Sequence, residues 1–156
     1  MFRDDDDRTD FCNRFVRVIR KFEWTCMSFV LMPTHFHFLL WVDDDVLSRG
    51  MSLLFGGYAQ QFNRRWGRSG HLRADRFKLR PIVDEADLQG MVRYIARNPV
   101  RDGLCELPQD WYWSSYRGSA DYAAPFAFVD DRDAVACFHE TRERAIRQLR
   151  VFVEIS

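Results

Sequence analysis

Hydrophobic residues recurring at intervals of three and four predict two helices in the first half of the chain. The first runs from Asp5 to about Phe22, and the second from Val46 to Arg65, where Gly67–Gly70 break it. We expect both to be amphipathic, with one face in a core. The inward residues are Phe11, Phe15, Val18, Ile19 and Phe22 in the first helix, and Leu47, Met51, Leu54, Tyr58 and Phe62 in the second.

Between these helices, residues favourable for β structure predict a pair of strands. Glu23–Met32 forms the first strand, Met32-Pro33-Thr34 the turn, and His35–Val42 the second strand. We predict a third strand at Arg76–Val83. Further along, Ala134–Phe152 carries a last helical pattern.

The second predicted strand begins with two histidines that flank a bulky apolar residue. Alternate residues of a strand point the same way, so His35 and His37 share one face. The opposite face is wholly apolar, and we predict that it packs into the core. Two imidazoles side by side form half of a divalent-metal site. Alternatively, both are partly buried polar residues with ordinary hydrogen-bond partners. The residues of the apolar face are Phe36, Phe38, Leu40 and Val42.

A further helix is predicted after the acidic residues of Asp84–Asp87, and Pro99 is predicted to end it. Tyr94 and Asn98 are four residues apart and therefore share a face of this helix, and Arg93 and Arg97 share another. Tyr94 can also be read as a half-buried aromatic at the rim of the core, and Asn98 as an ordinary residue at a helix end.

Four segments together resemble the single-tyrosine HUH transposases, where U is a bulky hydrophobic residue, and most closely their REP-associated (RAYT) branch. The resemblance covers most of the chain, in the order and spacing of the family. The four segments are Leu31–Leu40 (family pattern LMPNHxHLLL), Gly70–Lys78 (GHLFQGRFK), Tyr94–Leu104 (YIHxNPVRAGL) and Trp111–Tyr116 (YxWSSY).

The resemblance implies an α+β, ferredoxin-like fold, an antiparallel sheet with helices packed on one face. It implies that His35, His37 and Asn98 hold a divalent metal, Mg²⁺ or Mn²⁺, and that Tyr94 is the nucleophile. In the family, the tyrosine attacks single-stranded DNA and forms a 5′-phosphotyrosine with a free 3′-hydroxyl. The chemistry suits these residues, because a cation neutralises phosphate charge and a tyrosine ionises more easily than an aliphatic alcohol.

The chain departs from the family at its N-terminus. Family members begin with a central strand beside the His-x-His strand, whereas Met1 stands where that strand should already have ended. We therefore expect a sheet that lacks its first strand and has an open inner edge, which invites disorder or pairing with a second chain as a homodimer. A misplaced gene start, a decayed gene and another element filling the gap are three explanations that the sequence leaves open.

Length and composition predict a single domain over residues 1–156, with a core at 1–120 and a C-terminal extension at 121–156. We see no run apolar enough to span a membrane and no signal peptide, so no membrane partner is expected. The chain's four cysteines are scattered, and we interpret them as free thiols in a reducing cytoplasm.

Net charge is formally zero, but basic residues cluster between Arg64 and Arg80. A GC-rich genome can explain the excess of arginine over lysine, whereas the clustering favours contact with the phosphates of single-stranded or hairpin DNA. The predicted DNA-binding residues are Arg64, Arg65, Arg68, Arg73, Arg76, Lys78 and Arg80, with Arg93, Arg97 and Arg101 on and after the tyrosine helix.

Three functions remain open from the sequence. The first is metal-dependent cleavage and strand transfer of single-stranded DNA at repeat or hairpin sequences. The second is a catalytically impaired relic of the same fold that still binds single-stranded nucleic acid. The third is a metal-dependent hydrolase of small phosphoesters that uses His35, His37 and Asn98 but not Tyr94.

Overall fold

The structure, a computed structural model, describes residues 1–72 and 77–155. It is α+β, as predicted, with a two-stranded antiparallel sheet and helices packed against it, consistent with a ferredoxin-like fold. The strands are β1 (Thr25–Leu31) and β2 (Phe36–Trp41). The helices are α1 (Asp5–Phe22), α2 (Asp44–Trp66), α3 (Glu85–Arg101), α4 (Tyr116–Ser119), α5 (Arg132–Ala136) and α6 (Arg142–Glu154).

The chain forms two compact units. One comprises Met1–Thr25 and Trp41–Arg80, and the other comprises Cys26–Leu40 and Pro81–Ser156. Among the residues that the structure describes, no helix is both long and apolar enough to cross a membrane. All four cysteines are free thiols, as expected.

The first unit is built on the contact between α1 and α2. α1 has the bounds that the sequence predicts, because Asp4 caps its first turn by accepting from the Asp7 N–H at 3.0 Å. Gly67 ends α2 in the left-handed conformation, with φ of 60°, which only glycine adopts without strain. Tyr58 is buried at 1% exposure, as predicted, and its hydroxyl donates to the Met1 carbonyl at 3.0 Å.

The second unit contains the hairpin of β1 and β2. Its turn is closed by the Met32 N–H, which donates to the His35 carbonyl at 2.8 Å. The far edge of β1 is partly covered by chain from the Trp-Ser-Ser segment, since the Leu31 N–H donates to the Trp113 carbonyl at 2.8 Å. Within the described ranges, β1 is the only strand that pairs with β2.

The core of the second unit corrects one prediction about β2. Leu39, on the same strand face as His35 and His37, is the buried residue, at 4% exposure. It belongs to a core cluster with Val92 and Ile95 of α3, so the histidine face points toward the helix. The side chains on the opposite face, predicted to be the core face, are only partly buried: Phe36, Phe38, Leu40 and Val42.

The start of α3 corrects the predicted strand at Arg76–Val83. Residues 77–83 are neither strand nor helix, and Arg76 lies outside the described residues. Val83 is 81% exposed, and its N–H donates to the Asp87 carboxylate at 3.2 Å instead of to a neighbouring strand. Asp84 in turn accepts from the Asp87 N–H at 2.8 Å. The apolar stretch therefore leads into a helix cap rather than a sheet.

Two helix boundaries also differ from prediction. Pro99 does not end α3 but lies inside it, and the helix continues to Arg101. Pro99 cannot donate to the carbonyl four residues before it and crowds that carbonyl, and its side chain is buried. The predicted helix at Ala134–Phe152 is two helices, α5 and α6, separated by a bend in which the Thr141 N–H donates to Nδ1 of His139 at 3.0 Å.

We predict opposite effects for two glycine substitutions in α2. A Cβ at Gly50 would lie 2.3 Å from the buried ring of Trp24, whereas one at Gly56 meets nothing within 4 Å. Gly50→Ala should lower the free energy of unfolding by about 1–3 kcal/mol through overpacking. Gly56→Ala should raise it by roughly 0.5–1 kcal/mol, because alanine favours the helix. Urea denaturation of both variants tests this, and equal shifts would contradict the packing described here.

Candidate active site

The two predicted metal-binding histidines lie together where the hairpin turns into β2. The ring centroids of His35 and His37 are 5.1 Å apart, with the planes at 81°. Both side chains are partly buried. A hydrogen bond of 3.1 Å joins Nδ1 of His35 to the Thr34 hydroxyl and fixes the outer ring. The two imidazoles therefore lie side by side on one face of the strand, as the alternation of residues predicts.

The tyrosine of α3 lies against the inner histidine. The ring centroids of His37 and Tyr94 are 5.1 Å apart in an edge-to-face arrangement at 79°. Tyr94 is 40% exposed, so an external molecule can reach its side chain. Val92 and Ile95 of α3 pack in the same core cluster as Leu39 of β2. This cluster holds α3 and β2 together beside the His37–Tyr94 contact.

Asn98 lies one helical turn after Tyr94 and is 3% exposed. Its side-chain nitrogen donates a long hydrogen bond of 3.5 Å to the Tyr94 carbonyl. This bond occupies the nitrogen and leaves the amide oxygen as an acceptor or ligand. The structure thus places His35, His37 and Tyr94 in successive ring contacts, and Asn98 lies one helical turn from Tyr94.

The environment of His37 keeps its ring neutral. Burial, reinforced by the neighbouring His35 and opposed by the Asp102 carboxylate, lowers the pKa of His37 to about 4. The Nε2 atom of His37 is buried and has no hydrogen-bond partner among the described residues. A neutral imidazole with an unused ring nitrogen is a good metal ligand, because metal binding requires the deprotonated form.

This donor set fits a divalent cation. No three His, Cys, Asp or Glu side chains in the described ranges are grouped as a metal site. Two imidazoles therefore need a third ligand of another type, and the Asn98 amide oxygen is the candidate. Mixed nitrogen and oxygen ligands suit Mn²⁺ and tolerate Mg²⁺. When bound, such an ion would neutralise charge on a phosphodiester.

Several arginines predicted to bind DNA have intramolecular partners. In the first unit, Arg65 contacts the carboxylates of Asp4, Asp6 and Asp7, at 2.7 Å for Asp7. Asp4, Asp6 and Asp7 therefore act as counter-charges to Arg65. Arg64, Arg68, Lys78 and Arg80 are exposed, and Arg73 and Arg76 lie outside the described residues.

On α3, two predicted DNA-binding arginines donate to the end of α6. Arg97 donates to the Val153 carbonyl at 2.8 Å, and Arg93 donates to the Ile155 carbonyl at 3.0 Å. The Arg93 guanidinium also lies over the Phe152 ring, 5.1 Å from its centroid. These bonds satisfy carbonyls at the end of a helix that lack partners within it. Arg101 is exposed.

Sequence reasoning missed one charged residue near the histidines, Asp102. Its carboxylate interacts electrostatically with His37. The signal that could have found it is spacing, since Asp102 follows Asn98 by the same four residues that separate Asn98 from Tyr94.

Comparison with known proteins gives one distant relative. The chain is similar to a protein of Haemophilus influenzae (strain Rd) that carries the name of an inferred REP-associated tyrosine transposase. The two are 26% identical over 123 residues, which covers 69% of this chain and 70% of the relative. No protein-family model matches the chain, and no solved structure matches it. This similarity supports the resemblance to the REP-associated branch at the level of a distant relative.

The lowered pKa of His37 predicts a pH dependence of stability in the metal-free protein. Between pH 6.5 and about 4 the unfolded chain takes up a proton that folded His37 does not, so the free energy of unfolding should fall as pH falls. The full shift corresponds to at most about 3 kcal/mol, and solvent screening at this partly buried ring reduces it. Above that range this group adds no pH dependence.

Urea denaturation from pH 4 to 7.5 measures this effect. His37→Gln should flatten the acid-side slope, and His35→Gln serves as the matched control for loss of an imidazole. Identical slopes in wild type and His37→Gln would show that the ring is not desolvated as described.

Proposed function

We propose that this chain is a transposase-like enzyme that cleaves single-stranded DNA through a covalent link to Tyr94. The observation that carries the proposal is the edge-to-face contact of Tyr94 with His37, at 5.1 Å between centroids, beside a second histidine. A tyrosine that contacts one imidazole of a histidine pair, one helical turn before an amide side chain, combines a nucleophile with candidate ligands for a cation. The distant relationship to an inferred REP-associated tyrosine transposase supports the same function.

The residues divide the chemistry among them. Tyr94 attacks the phosphorus of a phosphodiester with its phenolic oxygen, and the bond from phosphorus to the 3′-oxygen breaks. The phenol loses one proton and the 3′-oxygen gains one. The products are therefore a 5′-phosphotyrosine and a free 3′-hydroxyl. No water or ATP is consumed, and the phosphodiester energy is retained for rejoining.

His37 and Asn98 position this reaction. His37 stays unprotonated at neutral pH, so its ring can bind a cation rather than repel one. Asn98 lies one turn along α3 from the nucleophile, and its side-chain nitrogen donates to the Tyr94 backbone carbonyl, which fixes the amide relative to the helix. The exposure of Tyr94, at 40%, leaves room for a flexible single strand and distinguishes the site from a buried tyrosine such as Tyr58.

Formation of the adduct tests the proposal. Single-stranded oligonucleotides with hairpins, incubated with the protein and Mn²⁺, should give a denaturation-resistant protein–DNA species whose mass maps to Tyr94. Tyr94→Phe should abolish it, because a ring without the hydroxyl cannot form the bond. Tyr112→Phe removes another exposed hydroxyl and is the matched control, with the adduct retained.

The other functions give different results in the same assay. DNA binding without an adduct would indicate the binding module, and hydrolysis of small phosphoesters that persists in Tyr94→Phe would indicate the hydrolase. Adduct formation in EDTA would contradict the role of the cation, and adduct formation by Tyr94→Phe would refute the assignment of the nucleophile.

Charge contacts predict how DNA affinity depends on salt. Each phosphate that the protein neutralises contributes about −0.7 to the log–log slope for single strands. Arg64 is exposed, whereas Arg65 is held by three aspartates. Arg64→Gln should therefore flatten the slope by up to roughly 0.7, and Arg65→Gln should change it less. Fluorescence anisotropy between about 50 and 200 mM salt measures the slopes. A larger effect at Arg65 would place that guanidinium on DNA.

A further inference from the structure

Phe22, the last residue of α1, lies against Gly50 of α2 in the first unit. The residue before this glycine, Arg49, is exposed, and the Cζ atom of its guanidinium lies 5.8 Å from the centroid of the Phe22 ring. The Nζ atom of Lys21 lies 5.7 Å from the same centroid. Glycine permits this approach, because a Cβ at Gly50 would lie 3.2 Å from the Phe22 ring and overlap the Trp24 ring. Two cations from different helices therefore lie at one aromatic ring.

Two more cations extend this group along α1. Arg20 and Lys21 follow Arg17 by three and four residues, so the three side chains share one face of the helix. All three are exposed, as is Arg49. These four residues, Arg17, Arg20, Lys21 and Arg49, form a basic patch on the first unit. None of them belongs to the stretches that the sequence predicts to bind DNA.

The cations of the basic patch have no carboxylate partner. Across residues 1–72 and 77–155, no ion pair or hydrogen bond joins any of the four side chains to an aspartate or glutamate. Other arginines of the first unit are neutralised. Arg14, on the same helix, contacts the Asp10 carboxylate at 2.7 Å, and Arg65 contacts three aspartates. The basic patch therefore keeps its full charge at the surface.

Helix polarity accounts for only part of the basic patch. The C-terminal end of a helix attracts positive charge, which explains Arg20 and Lys21 in the last turn of α1. It explains neither Arg17, one turn earlier, nor Arg49, which lies near the N-terminal end of α2, where negative charge is favoured. Like charges at these helical spacings repel one another. Cations held together without a counter-charge suit an external polyanion, whose phosphates relieve the repulsion.

We infer that the basic patch binds the phosphate backbone of duplex DNA, such as the stem of a hairpin. The inference rests on the proposed function in taking DNA as the ligand. Single-strand sites add exposed aromatic faces on which bases stack. Phe22, the ring in the basic patch, is instead partly buried and is contacted by Lys21 and Arg49. Contacts to phosphate alone position a duplex without reading its sequence, so binding should not depend on base sequence.

Fluorescence anisotropy with a labelled duplex of about 20 base pairs and arbitrary sequence tests the inference. The double variant Lys21→Gln/Arg49→Gln removes two charges of the basic patch. Each phosphate contact contributes about −0.9 to the log–log salt slope for duplex DNA. The variant should therefore flatten the slope by roughly 1–2 and weaken binding about 5- to 50-fold near 0.1 M salt. Lys21→Arg/Arg49→Lys keeps both charges and should keep most of the affinity.

A matched control removes the same charge from the second unit. Arg132→Gln/Arg147→Gln takes away two exposed arginines that already have carboxylate partners, Asp130 at 2.5 Å and Glu143 at 3.4 Å. Its slope should change by less than about 0.5, because paired charges release few counterions from DNA. Equal losses of affinity in the two double variants would show an effect of net charge alone and overturn the inference.

A second patch variant guards against loss of structure. Arg17→Gln/Arg20→Gln removes two charges that make no contact with the Phe22 ring among the described residues, so its thermal unfolding should match that of wild type. Its affinity for the duplex should nevertheless fall by a similar factor. Unchanged affinity in this variant, together with an unfolding temperature lowered only in Lys21→Gln/Arg49→Gln, would show a structural role and overturn the inference.

The remaining outcomes separate the inference from the proposed function. If wild type forms the Tyr94 adduct and both patch variants bind the duplex as wild type does, the inference fails and the proposed function stands. If wild type forms no adduct but the patch variants lose affinity for the duplex, the basic patch is a DNA site and the proposed function fails. A larger loss of affinity for labelled oligothymidylate, or for phosphatidylserine vesicles, would assign the basic patch to single strands or to anionic lipid and overturn the inference.

Discussion

The packing of α3 against the histidine face of β2 is the contact on which the site depends. Leu39 shares its strand face with the histidines, and it belongs to the same buried cluster as Val92 and Ile95. The hydrophobic contact that holds helix to strand therefore also sets the His37 ring against Tyr94. It desolvates the ring at the same time, which keeps it neutral. The burial of the His37 ring, its contact with Tyr94 and its lowered pKa therefore arise from one interface.

Local signals in the sequence predict those elements whose ends are fixed by local chemistry. α1 has the expected bounds, and its start is fixed by the Asp4 cap, an interaction between residues close in sequence. The predicted strand after Arg76 is wrong because β-favourable residues there enter a helix cap, and no strand in the described ranges pairs with them. Similarly, the apolar alternation of β2 indicates two faces but not which one meets α3, which only tertiary packing decides.

Clustering of arginines along the sequence does not show which of them are available to bind DNA. From the sequence alone, Arg65, Arg93 and Arg97 are predicted to bind DNA just as Arg64 and Arg101 are. In the structure Arg65 is neutralised by aspartates, and the other two donate to backbone carbonyls. A guanidinium serves equally well as a phosphate ligand and as a brace for carbonyls, and the choice is made by which acceptors the fold brings near. The resemblance singles out His35, His37 and Tyr94, whose rings lie in contact, whereas it assigns no role to Asp102.

Arg93 and Arg97 donate to carbonyls at the end of α6, so these contacts can form only after α6 has been synthesised. α6 spans Arg142–Glu154, so on the ribosome its last turn emerges after all the residues of the site. Until then the tyrosine helix lacks both its arginine anchors and the buried contribution of Leu149 to the core. A partly synthesised chain would carry Tyr94 and both histidines without the bonds that tie the tyrosine helix to α6. The contacts that fix this helix would then form only after every one of those residues has been made.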